Sequence, residues 1–493
     1  MKRFLEAFLT VLIFVFTLTG CGENDTTPVS VSATISDIEE NATDKLSDDM
    51  PGVDITRLQA PNMDELGEVD EAVVEELSAN KGENDDENES DLTEDQSEDA
   101  DGEEVIDEEV VSTASYNVSN SSDDMRGIWI ATVKNIDYPK PATTSSAILM
   151  AQADAIISNC KAMGINTVFL QVRPASDAFY KSSIFPWSMY LTGMQGVAPD
   201  GDFDPLLYWI NQCHANGMEL HAWINPYRIT KDNGAYDVMW NALAASNPAK
   251  QHPEWVVRHK NEYYFDPAIP EVRQLVIDGV LEIVRNYDVD GIHFDDYFYP
   301  NSGQDFNDAA SYALYGGGMN KADWRRENVN TLVRQLKPAI QAVKPGCEFG
   351  ISPSGVWDNA KNNSLGSNTS AFSSYSQIYA DTRKWALEGW VDYIAPQVYW
   401  NIGHSKADYA TVTKWWADTL AGCNTKLYIG MADYKCLASK ASDPFYGANG
   451  VTQMQTQLAF NDALPKVSGE IHYNYTNLFS NPALVEMYRA YYH

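Results

Sequence analysis

Asp295 and Asp296, side by side at the end of an apolar run in Asp290-Gly291-Ile292-His293-Phe294-Asp295-Asp296-Tyr297-Phe298-Tyr299-Pro300, are the residues whose type and spacing best suit chemistry. Burying two carboxyl groups together is unfavourable unless a proton, a metal or a substrate compensates them. The pair therefore points to proton transfer or to stabilisation of developing positive charge. The competing reading is that both only cap the next helix or bond loop amides. By the period of two, Ile292 and Phe294 share one face of a short strand and His293 and Asp295 the other, and Pro300 ends the element. A strict strand aims neighbours oppositely, so one aspartate must lie past a bulge or past the strand end.

Such a pair needs a frame. From Met125 to His493 the chain alternates apolar strands with helical patterns eight times. The predicted strands are 127–133, 167–172, 219–225, 290–296, 348–353, 393–399, 427–432 and 470–475. Helical stretches lie near 145–163, 205–216, 270–287, 320–343, 379–388, 409–421, 451–463 and 482–492. Eight β/α units predict an α/β fold, a (β/α)8 TIM-like barrel, with no GxGxxG or phosphate-loop pattern to favour a nucleotide-binding sheet.

Barrels of this kind place chemistry at the carboxyl ends of their strands. Those ends carry Arg173 and Asp177, then Asn225 and Tyr227, then His293 with the aspartate pair and Tyr297, then Gln397, Tyr399 and Trp400, and finally Asp433. Amides, carboxylates and rings together suit a sugar, whose hydroxyls take short polar groups and whose apolar faces stack on aromatics. Arg173 is expected to pair with Asp295 or Asp177 and keep it ionised. Burial near Tyr297 and Trp400 is expected to raise Asp296 into the range of a general acid. Gln397 and Tyr399 are expected to bond substrate hydroxyls or an acetamido group. His293 either positions a carboxylate or is a satisfied core histidine, and Asp433 is a lower-ranked acid.

The formal charge of the 493-residue chain is −36. Residues 22–125 hold about 34 acids against 3 bases, a net of about −31. With few aromatics, residues 22–122 read as a disordered acidic linker, which makes the charge a property of a spacer rather than a ligand preference. Residues 1–21 have Lys2 and Arg3, an apolar stretch from Phe8 to Leu18, and Leu18-Thr19-Gly20-Cys21. That pattern is a secretory signal ending in a lipobox, with Cys21 the lipidated residue, and its apolar run is about half the ~20 residues of a spanning helix. The protein is thus expected on the extracytoplasmic face of a cell membrane, lipid-anchored, with residues 123–493 as the barrel.

Cys160, Cys213, Cys347, Cys423 and Cys436 form no CxxC pair, though an exported chain allows a Cys423–Cys436 bridge. No cofactor or metal is expected, with Asp137 and the run from Asp305 to Asp308 the only weak metal candidates, neither matching a calcium loop. The chain lacks the basic stripe that nucleic acid requires. A metal-dependent deacetylase would pair its aspartates with histidines, and there is no HxxxH here. The default oligomeric state is a monomer.

MRGIWIATVKNIDYP (125–139), FLQVRPASDAFY (169–180), AWINPYR (222–228), HPEW (252–255), DPAIPEVR (266–273), DGIHFDDYFYP (290–300), GISPSGVWDN (350–359) and ADTRKWALEGWVDYIAPQVYW (380–400) together resemble the glycosyl hydrolase-like family 10 of bacterial surface lipoproteins. The resemblance spans residues 124–475. It implies a TIM-like barrel acting on cell-wall glycan, in some members peptidoglycan strands stripped of stem peptides. Two departures bear on substrate preference: Asp358 stands where a basic residue is frequent, and the seventh strand ends Gly430-Met431-Ala432-Asp433-Tyr434 without the expected Gln.

Glycoside cleavage needs an acid for the leaving oxygen and a second group to support charge at the anomeric carbon, and Asp295 and Asp296 are the first choices. The spacing Gly291-x-His293-x-Asp295 is similar to the fourth-strand pattern of several retaining glycosidases. The adjacent pair also fits a scheme in which a 2-acetamido group on the sugar is the nucleophile. The expectation is an extracytoplasmic glycosidase. The alternatives are a non-catalytic glycan-binding lipoprotein and a lytic transglycosylase on the same glycan.

Overall fold

The computed structural model describes residues 124–231, 236–300 and 306–493. The signal, the lipobox cysteine and all of the acidic linker expected from the sequence lie outside them. No described helix is long and apolar enough to cross a membrane.

Eight parallel strands close into a barrel, each followed by a helix, as the alternation predicted. In chain order they are β1 (Met125–Ile130), α1 (Ser146–Met163), β2 (Thr167–Arg173), α2 (Pro205–Ala215), β3 (Glu219–Ile224), a hairpin of β4 (Val256–His259) and β5 (Glu262–Phe265), α3 (Pro270–Asn286), β6 (Gly291–Phe294), α4 (Lys321–Val343), β7 (Glu348–Ile351), α5 (Thr382–Leu387), β8 (Tyr393–Ile394), α6 (Tyr409–Thr419), β9 (Lys426–Ala432), α7 (Ala448–Asp462), β10 (Val467–Tyr473) and α8 (Pro482–Tyr492). Around the barrel the order is β1, β10, β9, β8, β7, β6, β3, β2. Helix starts follow capping chemistry: Asp204, Asn320, Asp408 and Asn481 each accept a backbone N–H from the first turn of the helix they precede.

The barrel interior is filled by Trp129, Phe169, Trp223, Tyr393, Tyr428 and Ile471, with His221 and His293 among them. Rings this large fit because glycines face them. A Cβ on Gly291 would overlap the His221 ring, and one on Gly350 would overlap Tyr393. The helix-facing side of the strands packs Ile128, Val168, Leu170, Ile292, Phe294 and their neighbours into the larger core.

Two elements depart from the sequence reading. β8 is two residues long rather than the predicted seven. Pro396 has no N–H to continue a ladder, and the chain goes on through single bridges from Gln397 to Ser354 and to Gly430. The β4–β5 hairpin stands outside the eight predicted strands. It turns at Lys260, which takes a φ of 51°, and pairs Val256 with Phe265 and His259 with Glu262. All five described cysteines are free thiols, so the Cys423–Cys436 bridge is not formed.

Candidate active site

The strand of β6 ends at Phe294, so both aspartates lie just beyond it and are free to diverge. Asp295 turns towards β3. Its Oδ2 accepts from Trp223 Nε1 at 3.0 Å and from Asn225 Nδ2 at 3.3 Å, and its Oδ1 from the Tyr297 backbone N–H at 3.3 Å. Asp296 turns towards β7, where the Ser354 hydroxyl donates to its Oδ2 at 3.2 Å. Gln397 adds a second side-chain donor, while its amide also donates to the Ser352 carbonyl at 3.0 Å. The two carboxyl groups are 2 % and 6 % exposed, so neither is solvated as a surface acid would be.

Burial is the main force on both. It pushes Asp295 up to about 7 against the opposing effect of Arg228, with the Asp296 charge adding to the rise, and it also raises Asp296. Both groups have donors: Asp295 an indole, an amide and the Tyr297 N–H, and Asp296 its own backbone N–H, the Ser354 hydroxyl and Gln397, with the Arg228 guanidinium opposing the rise of each.

Arg228 supplies the local positive charge. Its Nε donates to the Pro174 carbonyl at 3.0 Å and its guanidinium lies 4.8 Å from the centre of the Tyr297 ring. Burial works against its charge and Asp295 works for it, with the net effect upward. The backbone N–H of Arg228 donates to Asn225 Oδ1 at 3.0 Å, which fixes the Asn225 amide so that its NH2 faces Asp295. The segment is stitched to the hairpin by an antiparallel bridge from Arg228 to Tyr264.

On the other side of Asp296, Tyr399, Tyr434 and Tyr473 form a half-buried trio at the ends of β8, β9 and β10. Tyr399 stacks on Tyr473 at 5.9 Å, and Tyr434 meets both edge-on at 5.8 and 6.0 Å. Trp400 packs over Gly355 behind the Gln397 carbonyl, and its own carbonyl accepts from Gln457 Nε2.

The predicted residues thus divide. Asp295, Asp296, Asn225, Tyr297, Gln397 and Tyr399 come together, although Asn225 faces Asp295 rather than open space. Five others need correction. Arg173 does not reach Asp295: the β2–β3 register shifts between Gln171 and Arg173, which turns the side chain to the helix side, over the Phe185 ring at 3.8 Å and against Gly279 of α3. Asp177 is buried in the loop after β2, where Gln195 and Ser188 donate to it. Tyr227 is fully buried beside the hairpin, its carbonyl accepting from Phe265 N–H. Asp433 faces away, taking His472 Nδ1 at 3.0 Å and the Tyr488 hydroxyl at 2.7 Å.

His293 is the fifth. Trp129 Nε1, which can only donate, bonds His293 Nε2 at 3.1 Å, and burial holds this imidazole neutral, well below its ordinary range. The proton is therefore on Nδ1 and goes to the Tyr393 oxygen at 2.9 Å. The Tyr393 hydroxyl then donates to His221 Nδ1, also at 2.9 Å. Ser352 Oγ lies 2.9 Å from His293 Nε2, so both ring nitrogens are occupied inside the barrel and none is left for substrate.

Among the described residues no group of three or more His, Cys, Asp or Glu is placed to hold a metal. Asp137 is consumed by Ala131 N–H, Asn474 Nδ2 and Thr476 N–H, each at 2.8 Å, and Asp308 by Arg325 and Lys321. Asp305 lies outside the described residues.

Residues 124–448 match the family model described as glycosyl hydrolase-like 10. The chain is 41% identical over 378 residues to glycosyl hydrolase YngK of Bacillus subtilis (strain 168), covering 76% of this chain and 72% of that one. It is 42% identical over 365 residues to glycosyl hydrolase DigH of Escherichia coli (strain K12), covering 71% and 83%.

Proposed function

Since the chain belongs to the glycosyl hydrolase-like 10 family and is a glycosidase, we propose that it cleaves a cell-wall glycan, namely the sugar strands of peptidoglycan, while tethered through Cys21 to the outer face of a cell membrane. The observation that carries the catalytic part is the division of labour between neighbours. Asp295 is surrounded by donors on the β3 side and Asp296 meets a hydroxyl and an amide on the β7 side.

In this reading Asp296 protonates the leaving oxygen and Asp295 supports positive charge developing at the anomeric carbon. The tyrosine trio beside Asp296 offers rings to the apolar face of a pyranose. The lipobox pattern supports the anchor, and the acidic segment 22–122 supports a self-repelling spacer with a reach on the order of 100 Å.

The test is mass spectrometry of peptidoglycan, intact and freed of stem peptides, after incubation with the full chain and with its Asp296→Asn variant. New reducing ends that vanish in the variant support hydrolysis of that glycan. Anhydro ends in their place would identify a lytic transglycosylase. Absence of any new end from either substrate would reject the peptidoglycan assignment. Release of the protein from membranes after Cys21→Ala tests the anchor.

A further inference from the structure

The structure supplies a clear acid but an awkward nucleophile. A carboxylate that attacks an anomeric carbon needs an oxygen free to approach it. Both oxygens of Asp295 already accept hydrogen bonds, from Trp223, Asn225 and Tyr297, and the group is nearly sealed from solvent. Such a carboxylate is built to hold charge and to accept one further N–H donor.

The other described carboxylates on the loops around the site are committed elsewhere. Asp137 is taken up by Ala131 N–H, Asn474 and Thr476, Asp177 by Gln195 within its own loop, and Asp433 is locked to His472 and Tyr488. Asp358 takes the hydroxyls of Ser373 and Ser376. Glu262 pairs with Lys231 at 3.2 Å and takes the Tyr264 hydroxyl. Asp232 and Asp305 lie outside the described residues and enter the test as controls.

We propose that the nucleophile belongs to the substrate: the carbonyl oxygen of a 2-acetamido group on the sugar attacks its own anomeric carbon, with Asp295 orienting the amide N–H and Asp296 acting as the acid. The inference rests on the cell-wall glycan reading and narrows the cleaved bond to one formed by the anomeric carbon of an N-acetylated sugar.

The step balances. The acetamido oxygen forms a bond to C1 as the C1–O glycosidic bond breaks, the Asp296 proton goes to the departing oxygen, and the amide proton moves to Asp295, leaving a neutral oxazoline. Water then gives a proton to the Asp296 carboxylate as it adds to C1, the ring opens, and Asp295 returns its proton to nitrogen. The anomeric configuration is retained. The half-buried rings of Tyr399, Tyr434 and Tyr473 give the acetamido methyl an apolar wall.

The experiment uses the full chain and stem-free glycan strands carrying N-acetyl, N-fluoroacetyl, N-trifluoroacetyl or free amino groups. Fluorine withdraws electrons from the attacking oxygen. The expected result is a kcat that falls through the series by about 10²-fold or more, with the free-amine strands inert. Asp232→Asn, Asp305→Asn and Glu262→Gln should each stay within about threefold of the parent, far from the 10²-fold scale of a lost catalytic group. A flat series, or a loss at one of those three positions as large as at Asp295, overturns the inference while leaving the glycan reading in place. If N-acetylated strands themselves are not cleaved, the glycan reading fails and this inference fails with it.

Discussion

Asn225 holds Asp295 with an amide whose orientation is itself fixed: Nδ2 lies 3.4 and 3.3 Å from the two carboxylate oxygens, and Oδ1 is occupied by the Arg228 N–H. A flipped amide would set oxygen against oxygen, so the loop after β3 presents a donor by construction.

Removing that donor should be visible in kinetics. Asn225→Ala takes a hydrogen bond from a charged acceptor, worth roughly 1.5–3 kcal/mol, so kcat should drop about 10- to 100-fold. With less support for the carboxylate, Asp295 binds its proton more tightly, and the acid limb of the pH–rate profile should move to higher pH. An unshifted limb would mean that Asn225 does not act through Asp295.

The charge of Asp296 contributes to the elevation of Asp295 to about 7. In Asp296→Asn the like charge is gone, so Asp295 should titrate at lower pH and the alkaline limb set by the acid should disappear. Residual activity measured from pH 4 to 9 checks both halves. A profile identical in shape to that of the parent would refute the assignment of Asp296 as acid.

Glu470 lies far from this chemistry, buried between β10 and α7, and accepts from Asn461 Nδ2 at 3.1 Å. Burial pushes it up to about 7 from the ordinary 4.5. The folded state therefore binds this proton more tightly than the unfolded chain. The associated stability is full below pH 4.5 and is lost as pH rises through 7, by up to about 3 kcal/mol. Thermal unfolding of Glu470→Gln, which keeps an acceptor for Asn461, should lose this part of the pH dependence and be the more stable protein at pH 8.

Gly350 offers a packing test. A methyl there would enter the Tyr393 ring, which is held from the other side by His221 and His293. Gly350→Ala should destabilise the barrel by about 3 kcal/mol, at the upper end for overpacking. A melting temperature within a degree or two of the parent would show that the ring can move aside.

How much of this was legible in the sequence depends on where each residue stands relative to a strand end. The alternation of apolar runs identified every barrel strand, and the period of two placed His293 and Asp295 on the inner side. The same rule failed at Arg173. Counting from Phe169 through Gln171 aims it inward, but the register shift beside Val172 reverses it, and irregularities of this sort leave no mark in residue type. Arg228, which takes the expected role, stands in the segment AWINPYR out of phase with the series Trp223, Asn225 and Tyr227, so the period of two does not select it. The sequence allows His293 two roles, and only the partners at both ring nitrogens decide between them. The hairpin had a signal, since Val256 to His259 and Glu262 to Phe265 flank a Lys-Asn turn.

That hairpin separates inheritance of the scaffold from tuning of the reaction. The aspartates are fastened to the barrel, yet the guanidinium that opposes the rise of Asp295 belongs to a segment bridged to β5. Lengthening, shortening or exchanging β4–β5 would alter the acidity of Asp295 without disturbing a barrel strand. An insertion in a single loop is thus a site where related enzymes could diverge in working pH while conserving their carboxylates, and where an engineer could adjust it.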